Sequence, residues 1–210
     1  MEEQLKTGTT TIGIVCKDGV VLAADKRATA GSLIVDKRAE KVHVITDEFA
    51  VTIAGTVSDA QLLIKLVRAE VKLKEMRTNK KPSAKETANL LGGLLYSNIR
   101  RPSMLPGIAH FLLGGRDVDG VHLYDLFPDG SVTKIKDYVT SGSGSVFALG
   151  VLETQYHSDL SVAEGVKLVV KAINAALQRD TYSGNGIDVV TVTSGGIKKV
   201  LHKELHVSLE

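Results

Sequence analysis

The chain has 210 residues, 43% of them apolar and 24% charged, the size and composition of one globular domain with a filled core. Lys and Arg number 26 against 24 Asp and Glu, and the basic residues are scattered apart from solvated pairs such as Lys80-Lys81 and Arg100-Arg101, which argues against a nucleic-acid surface. Its one cysteine, Cys16, cannot form an internal disulfide, no apolar run approaches a membrane span, and residues 1–8 lack the apolar stretch of a secretory signal, so a cytoplasmic home is expected.

In chain order, Thr9 to Cys16 and Val20 to Asp25 read as two strands joined by Lys17-Asp18-Gly19, a hairpin with a strong Asp-Gly turn signal. Two more strand-like runs follow, Lys41 to Ile45 and Phe49 to Ala54, ending at Gly55. From Ser58 the period changes. Leu62, Leu63, Leu66, Val67 and Leu73 recur at helical spacing up to about Thr78, and Ser58 is expected to cap that helix. Ser83-Ala84-Lys85-Glu86 has the form of a capping box, and Leu90, Leu91, Leu94 and Leu95 supply the apolar face of a second helix packed antiparallel on the first.

Strands return at Ile108 to Leu113, Val121 to Phe127 and Ser131 to Ile135, separated by Asp-Gly turns. After Ser141-Gly142-Ser143-Gly144, a helical segment covers Val146 to Tyr156, and a second capping box at Ser161 to Glu164 opens a helix to about Arg179. Ile187 to Thr193 and Ile197 to Leu201 close the chain as a hairpin. This order is not the regular alternation of a doubly wound parallel sheet. It predicts an α+β fold in which two mainly antiparallel sheets pack face to face between helix pairs.

The chemistry centres on Gly8-Thr9. A threonine freed at its amino side by cleavage after Gly8 carries a hydroxyl nucleophile and an α-amine whose reference pKa is about 7.7 to 8.0, so one residue offers nucleophile and base. Asp25 ends an apolar run and Lys41 opens another, and together they could orient that hydroxyl; an ordinary surface ion pair is the competing reading. Gly55, between strand and helix, is a place for an oxyanion donor. The Ser-Gly run at 141–145 lacks the lysine of a phosphate-binding loop, and nucleotide binding is rejected. The histidines form no metal-ligand cluster, with His202 and His206 read as surface residues, so no metal or cofactor is expected.

Gly8-Thr9-Thr10-Thr11-Ile12-Gly13, Asp25-Lys26-Arg27, Lys41, Ile53-Ala54-Gly55, Asp59-Ala60-Gln61, Ser141-Gly142-Ser143-Gly144, Gly150-Val151-Leu152-Glu153 and Arg179-Asp180-Thr181-Tyr182-Ser183-Gly184 occur in order. Together they resemble the β subunits of the 20S proteasome, archaeal type, from Thr9 to about Thr193. The resemblance implies the N-terminal nucleophile hydrolase fold, a four-layer αββα sandwich, and a threonine endopeptidase that degrades unfolded proteins. It implies a propeptide over residues 1–8 removed by self-cleavage between Gly8 and Thr9, and one catalytic domain over 9–210.

Carried over by motif, Thr9 is the nucleophile, Asp25 and Lys41 the charged pair beside it, and Ser143, Asp180 and Ser183 the group that holds the α-amine and its water. Gly55 is the oxyanion donor. Thr29 and Gly55 would pair through their backbones with an extended substrate, and Ala28, Ala39, His43, Ile53 and Val57 would line a pocket selecting apolar P1 residues. The implied partners are other β subunits in a seven-membered ring, two such rings stacked between α-type subunits, and an ATPase unfoldase acting through the α ring. Three alternatives are weighed: a structural ring subunit without activity, disfavoured because all six catalytic positions are filled; a bacterial-type relative, against which the eight-residue propeptide and the Gly150-Val151-Leu152-Glu153 helix start argue; and a small-amide hydrolase of the same fold.

Overall fold

The computed structural model describes residues 8–104 and 106–205. Residues 1–7 of the expected propeptide, and His206, lie outside the described residues. The N-terminal hairpin forms β1 (Thr11–Cys16) and β2 (Gly19–Asp25). A short ribbon, β3 (Ala28–Ala30) and β4 (Leu33–Asp36), follows without any counterpart in the sequence reading, because three and four residues are too few to show a period. Then come β5 (Val42–Val44), β6 (Phe49–Gly55), α1 (Val57–Thr78), α2 (Ala84–Ile99), β7 (Ala109–Asp117), β8 (Gly120–Leu126), β9 (Val132–Ile135) and β10 (Tyr138–Ser141). The chain finishes with α3 (Ser145–Gln155), α4 (Val162–Arg179), β11 (Gly186–Thr193) and β12 (Gly196–Glu204).

Two antiparallel five-stranded sheets result, one in the order β10-β1-β2-β11-β12 and the other β5-β6-β7-β8-β9. The two-residue period of the strands splits their side chains between layers. In β2, Val20, Leu22 and Ala24 face the second sheet, where they meet Ala50, Leu112 and Leu123, while Val21 and Ala23 face α3 and α4. In β6, Phe49, Val51 and Ile53 pack on Leu63, Ile64, Val67 and Val71 of α1 and Leu91 and Leu95 of α2. The layers therefore run helix pair, sheet, sheet, helix pair, with three apolar seams between them. Complete burial of each such leucine, isoleucine or phenylalanine contributes about 1.5–3 kcal/mol.

Both capping boxes form: Ser83 accepts from Glu86 N and Ser161 from Glu164 N, and each glutamate reaches back to its cap. The cap expected at Ser58 does not. The helix begins one residue earlier, with Thr56 at the N-cap position, and the Ser58 hydroxyl donates instead to Asp59 at 3.3 Å. The α1 face also differs from expectation, for Leu62, Leu66 and Leu73 are 37–44% exposed and the buried stripe uses Ile64 and Val71. Cys16 is a core residue whose thiol burial pushes up to about 12. Among the described residues no helix is long and apolar enough to cross a membrane.

Candidate active site

Strand β1 starts at the mouth of the gap between the sheets, and the three threonines before and at its start are 6%, 0% and 1% exposed. Thr10 is held on both sides: its N–H donates to Asp25 Oδ1 at 3.0 Å, and its hydroxyl is 2.6 Å from Ser183 Oγ. That fixes Thr9, whose hydroxyl donates to the Gly8 carbonyl at 2.7 Å and whose N–H donates to Ser143 Oγ at 3.2 Å. Gly8 is required here by crowding, since a Cβ at that position would lie 1.8 Å from the Cβ of Tyr182.

Asp25, fully buried at the end of β2, accepts four hydrogen bonds: from Lys41 Nζ at 2.7 Å, Thr10 N at 3.0 Å, Arg27 N at 3.0 Å and Gly184 N at 2.9 Å. The alternative of a surface ion pair is thereby excluded. Lys41 is 5% exposed, and its burial lowers the ammonium below the ordinary lysine value against the opposing pull of Asp25. Its β strand, expected to begin at Lys41, begins at Val42, so Lys41 sits just before the ladder.

The turn after α4 supplies the third part. Asp180 Oδ2 accepts from both Ser143 Oγ and Ser183 Oγ at 2.6 Å, and Asp180 Oδ1 accepts from Tyr182 N at 3.2 Å. Arg27 locks this turn to the end of β2, donating to the Thr181 carbonyl at 2.9 Å and to Asn185 Oδ1 at 2.8 Å. Thr9, Asp25, Lys41, Ser143, Asp180 and Ser183 are thus joined in one continuous network around Gly8-Thr9, although up to 174 positions separate them in sequence. Thr10, Arg27 and Gly184 belong to that network and were not singled out as site residues; the threonine triplet, the Asp-Lys-Arg run and the Arg179 to Gly184 motif carried the signal.

Beside Thr9 opens a cleft of about 410 Å³. Its walls include Ala28, Thr29, Ala39, His43, Ile53, Gly55 and Val57, every position the sequence assigned to substrate, together with Gly8 and Lys41. Gly55 closes β6 opposite Ala109 of β7, on the sheet facing the one that carries Thr9. Burial lowers the His43 ring below the ordinary histidine value, leaving it neutral near pH 7. Val35 and two exposed acids, Asp36 and Glu40, also line the cleft and were not anticipated; they arrive with the β3–β4 ribbon and the segment after it.

His202 lies at the surface, as expected, but it is tied to a buried ion pair. Half-exposed on β12, its Nδ1 lies 2.6 Å from Asp188 Oδ1, and Asp188 in turn pairs with Lys26 at 3.1 Å, both nearly inaccessible at 1% and 2%.

Two antiparallel sheets between helix pairs, with a threonine at the mouth of the inner seam, make up the N-terminal nucleophile hydrolase fold. Residues 5–192 match the family model for proteasome subunits. The chain is 45% identical over 199 residues to the proteasome subunit beta of Methanocaldococcus vulcanius, covering 94% of this chain and 87% of the relative. It is 46% identical over 205 residues to that of Methanobrevibacter smithii, with 97% and 96% covered, and 46% over 192 residues to that of Methanocaldococcus fervens, with 91% and 84% covered. The chain belongs to the proteasome subunit family, as one of its β-type members.

Proposed function

We propose that the chain is a threonine endopeptidase that activates itself by removing residues 1–8. The observation that carries this reading is the contact of the Thr9 hydroxyl with the Gly8 carbonyl inside a network that holds both Thr9 and the Asp25–Lys41 pair. In self-cleavage Thr9 Oγ adds to the Gly8 carbonyl carbon, the C–N bond breaks as the nitrogen takes a proton, and the peptide becomes an ester. Water then hydrolyses the ester, releasing Gly8 as a carboxylate and restoring the hydroxyl.

The freed α-amine next serves as base. It takes the hydroxyl proton as Oγ attacks a substrate carbonyl and passes it to the leaving amine, and water later frees the acyl group. In this reading Lys41 and Asp25 favour the deprotonated hydroxyl, the Gly55 N–H stabilises the oxyanion, and Ser143, Asp180 and Ser183 hold the amine and its water. Substrate adds as a strand along Thr29 and Gly55, so main-chain bonds fix the peptide and one pocket reads a side chain. Ala28, Ala39, Ile53 and Val57 with a neutral His43 favour apolar P1 residues. The working form assembles with other β subunits in stacked rings, capped by α-type subunits in the cytoplasm, where unfolded chains delivered by an ATPase are degraded.

Co-expression with an α-type subunit and assay on a fluorogenic peptide panel tests this. Cleavage after apolar P1 residues, absent in Thr9→Ala, is the expected result. A panel led by acidic or basic P1 residues overturns the pocket assignment, and full activity in Thr9→Ala overturns the nucleophile.

A further inference from the structure

The seam between the two sheets is mostly apolar but carries several buried polar side chains, and three of them, on three different strands, are wired to one another. In β7, His110 lies two residues before Leu112; in β8, Asp125 lies two after Leu123; in β10, Ser141 lies two after Val139. Leu112, Leu123 and Val139 all belong to the inter-sheet seam, so the two-residue period puts His110, Asp125 and Ser141 on it as well. They form one chain: Ser141 Oγ is 2.6 Å from His110 Nδ1, and His110 Nε2 is 2.5 Å from Asp125 Oδ1. The Asp125 carboxylate accepts, so Nε2 carries a proton, and Nδ1 pairs with the Ser141 hydroxyl, which can serve either as donor or as acceptor. Phe127 packs on the ring with centroids 4.7 Å apart.

The composition is that of a hydrolase triad, but Ser141 is only 6% exposed and lies off the cleft at Thr9, so it presents no nucleophile. What the chain does is cross from one sheet to the other. On the first sheet, Ser141 ends β10 opposite Thr11, and the backbone then turns at Gly142 (φ +92) to bring Ser143 onto Thr9 N. That turn admits only glycine, since a Cβ at 142 would lie 2.0 Å from the Thr9 carbonyl oxygen. On the second sheet, His110 follows Ala109, the ladder partner of Gly55, and the neighbouring Ile108 carbonyl accepts from Thr56 N at 2.7 Å.

We propose that Ser141, His110 and Asp125 are positioning residues that set the separation between the nucleophile on one sheet and the oxyanion donor on the other. The inference rests on the peptidase reading above. Asp25–Lys41 is a cross-sheet tie on one side of the site; the Ser141–His110–Asp125 chain is a second, carried by residues that touch neither substrate nor Thr9. A nucleophile and an oxyanion donor misplaced by about 1 Å lose on the order of 10²-fold in rate, so the loss belongs in kcat.

The test compares Ser141→Ala, Ser141→Val and Ser141→Thr in assembled particles, measuring the rate of Gly8–Thr9 cleavage and kcat and KM for an apolar fluorogenic peptide, per titrated Thr9. Valine and threonine are close in volume and differ by the hydroxyl. The expected result is that Ala and Val slow self-cleavage and lower kcat roughly ten-fold or more with KM within about two-fold, while Thr stays within about two-fold of wild type. Equal rates in Val and Thr, whether both high or both low, overturn the proposal. If Ser141→Ala does not assemble, the Val–Thr pair decides alone. A wild-type particle that neither processes nor cleaves peptide removes the peptidase reading and this inference with it; an active wild type with an unaffected Ser141→Val removes this inference only.

Discussion

Consecutive residues, Asp25 and Lys26, each enter a buried lysine–aspartate pair, and the two pairs are built differently. Asp25 meets Lys41 at 2.7 Å but also accepts three backbone N–H groups, from Thr10, Arg27 and Gly184. Its charge stays solvated by the protein whatever Lys41 does. Asp188 has side chains around it instead: the ammonium groups of Lys26 at 3.1 Å and Lys199 at 3.3 Å, and the His202 ring at 2.6 Å. The first arrangement leaves a lysine at the cleft wall whose acid does not depend on it, which is what the proposed mechanism asks of Lys41; the second commits a lysine to neutralising a carboxylate between strands. A buried ion pair is therefore not evidence of function until the other partners of its acid are counted.

The comparison breaks most decisively at Lys41. Lys41→Met should abolish self-cleavage and peptide hydrolysis, a loss of about 10³-fold or more, while the melting temperature falls only modestly because Asp25 keeps three donors. Parallel kinetics and calorimetry check it, and a large loss of stability with activity per folded chain intact contradicts the distinction. Lys26→Met should do the reverse. Removing Lys26 leaves Asp188 only the more exposed Lys199 and His202, which should cost about 1–3 kcal/mol in denaturant unfolding, with kcat per titrated Thr9 within a few-fold of wild type. A kcat as low as that of Lys41→Met would place Lys26 in the catalytic machinery.

A smaller effect separates the pairs by pH. Burial alone would raise the Asp188 carboxyl, but hydrogen bonds from His202 and Lys26 outweigh it and hold it below the usual carboxylate range. A depressed acid stabilises the fold above the unfolded value of about 3.9, and that contribution is lost as pH falls through the folded pKa. Asp188→Asn should flatten the acid limb of the stability–pH curve below about pH 4; an unchanged slope contradicts the account. Lys41 moves the other limb. With its ammonium lowered by burial, peptidase activity should decline on the alkaline side before the ordinary lysine value of about 10.4 is reached, if the charged form is the working one. A plateau up to that pH would contradict it.

Long elements with strong local signals were legible in the sequence. The capping boxes at Ser83 and Ser161 placed the starts of α2 and α4 because cap and partner lie three residues apart. Short strands were not: β10 hid inside Tyr138 to Ser141 beside a serine–glycine run, and β3 and β4 are shorter than any period. Ser58 misled because Val57 is already helical: Thr56, extended at φ −70° and ψ 114°, is the last residue before the helix, and Ser58 falls inside the first turn.

At the site, the motif residues were legible and their wiring was not. Asp188 was not singled out: in sequence it is one carboxylate inside the apolar run Ile187 to Val192, and nothing local names Lys26 as its partner 162 positions away. Likewise His110, Asp125 and Ser141 each interrupt an apolar strand pattern, but only packing of the two sheets joins them.

The most direct test of the central claim is the intact mass and amino-terminal sequence of the chain recovered from particles assembled with α-type subunits. The account predicts a chain that begins Thr9-Thr10-Thr11, with Thr9→Ala retaining Gly8 and hydrolysing no peptide. Wild-type particles that hydrolyse peptides while every chain still carries the Gly8–Thr9 bond would contradict it.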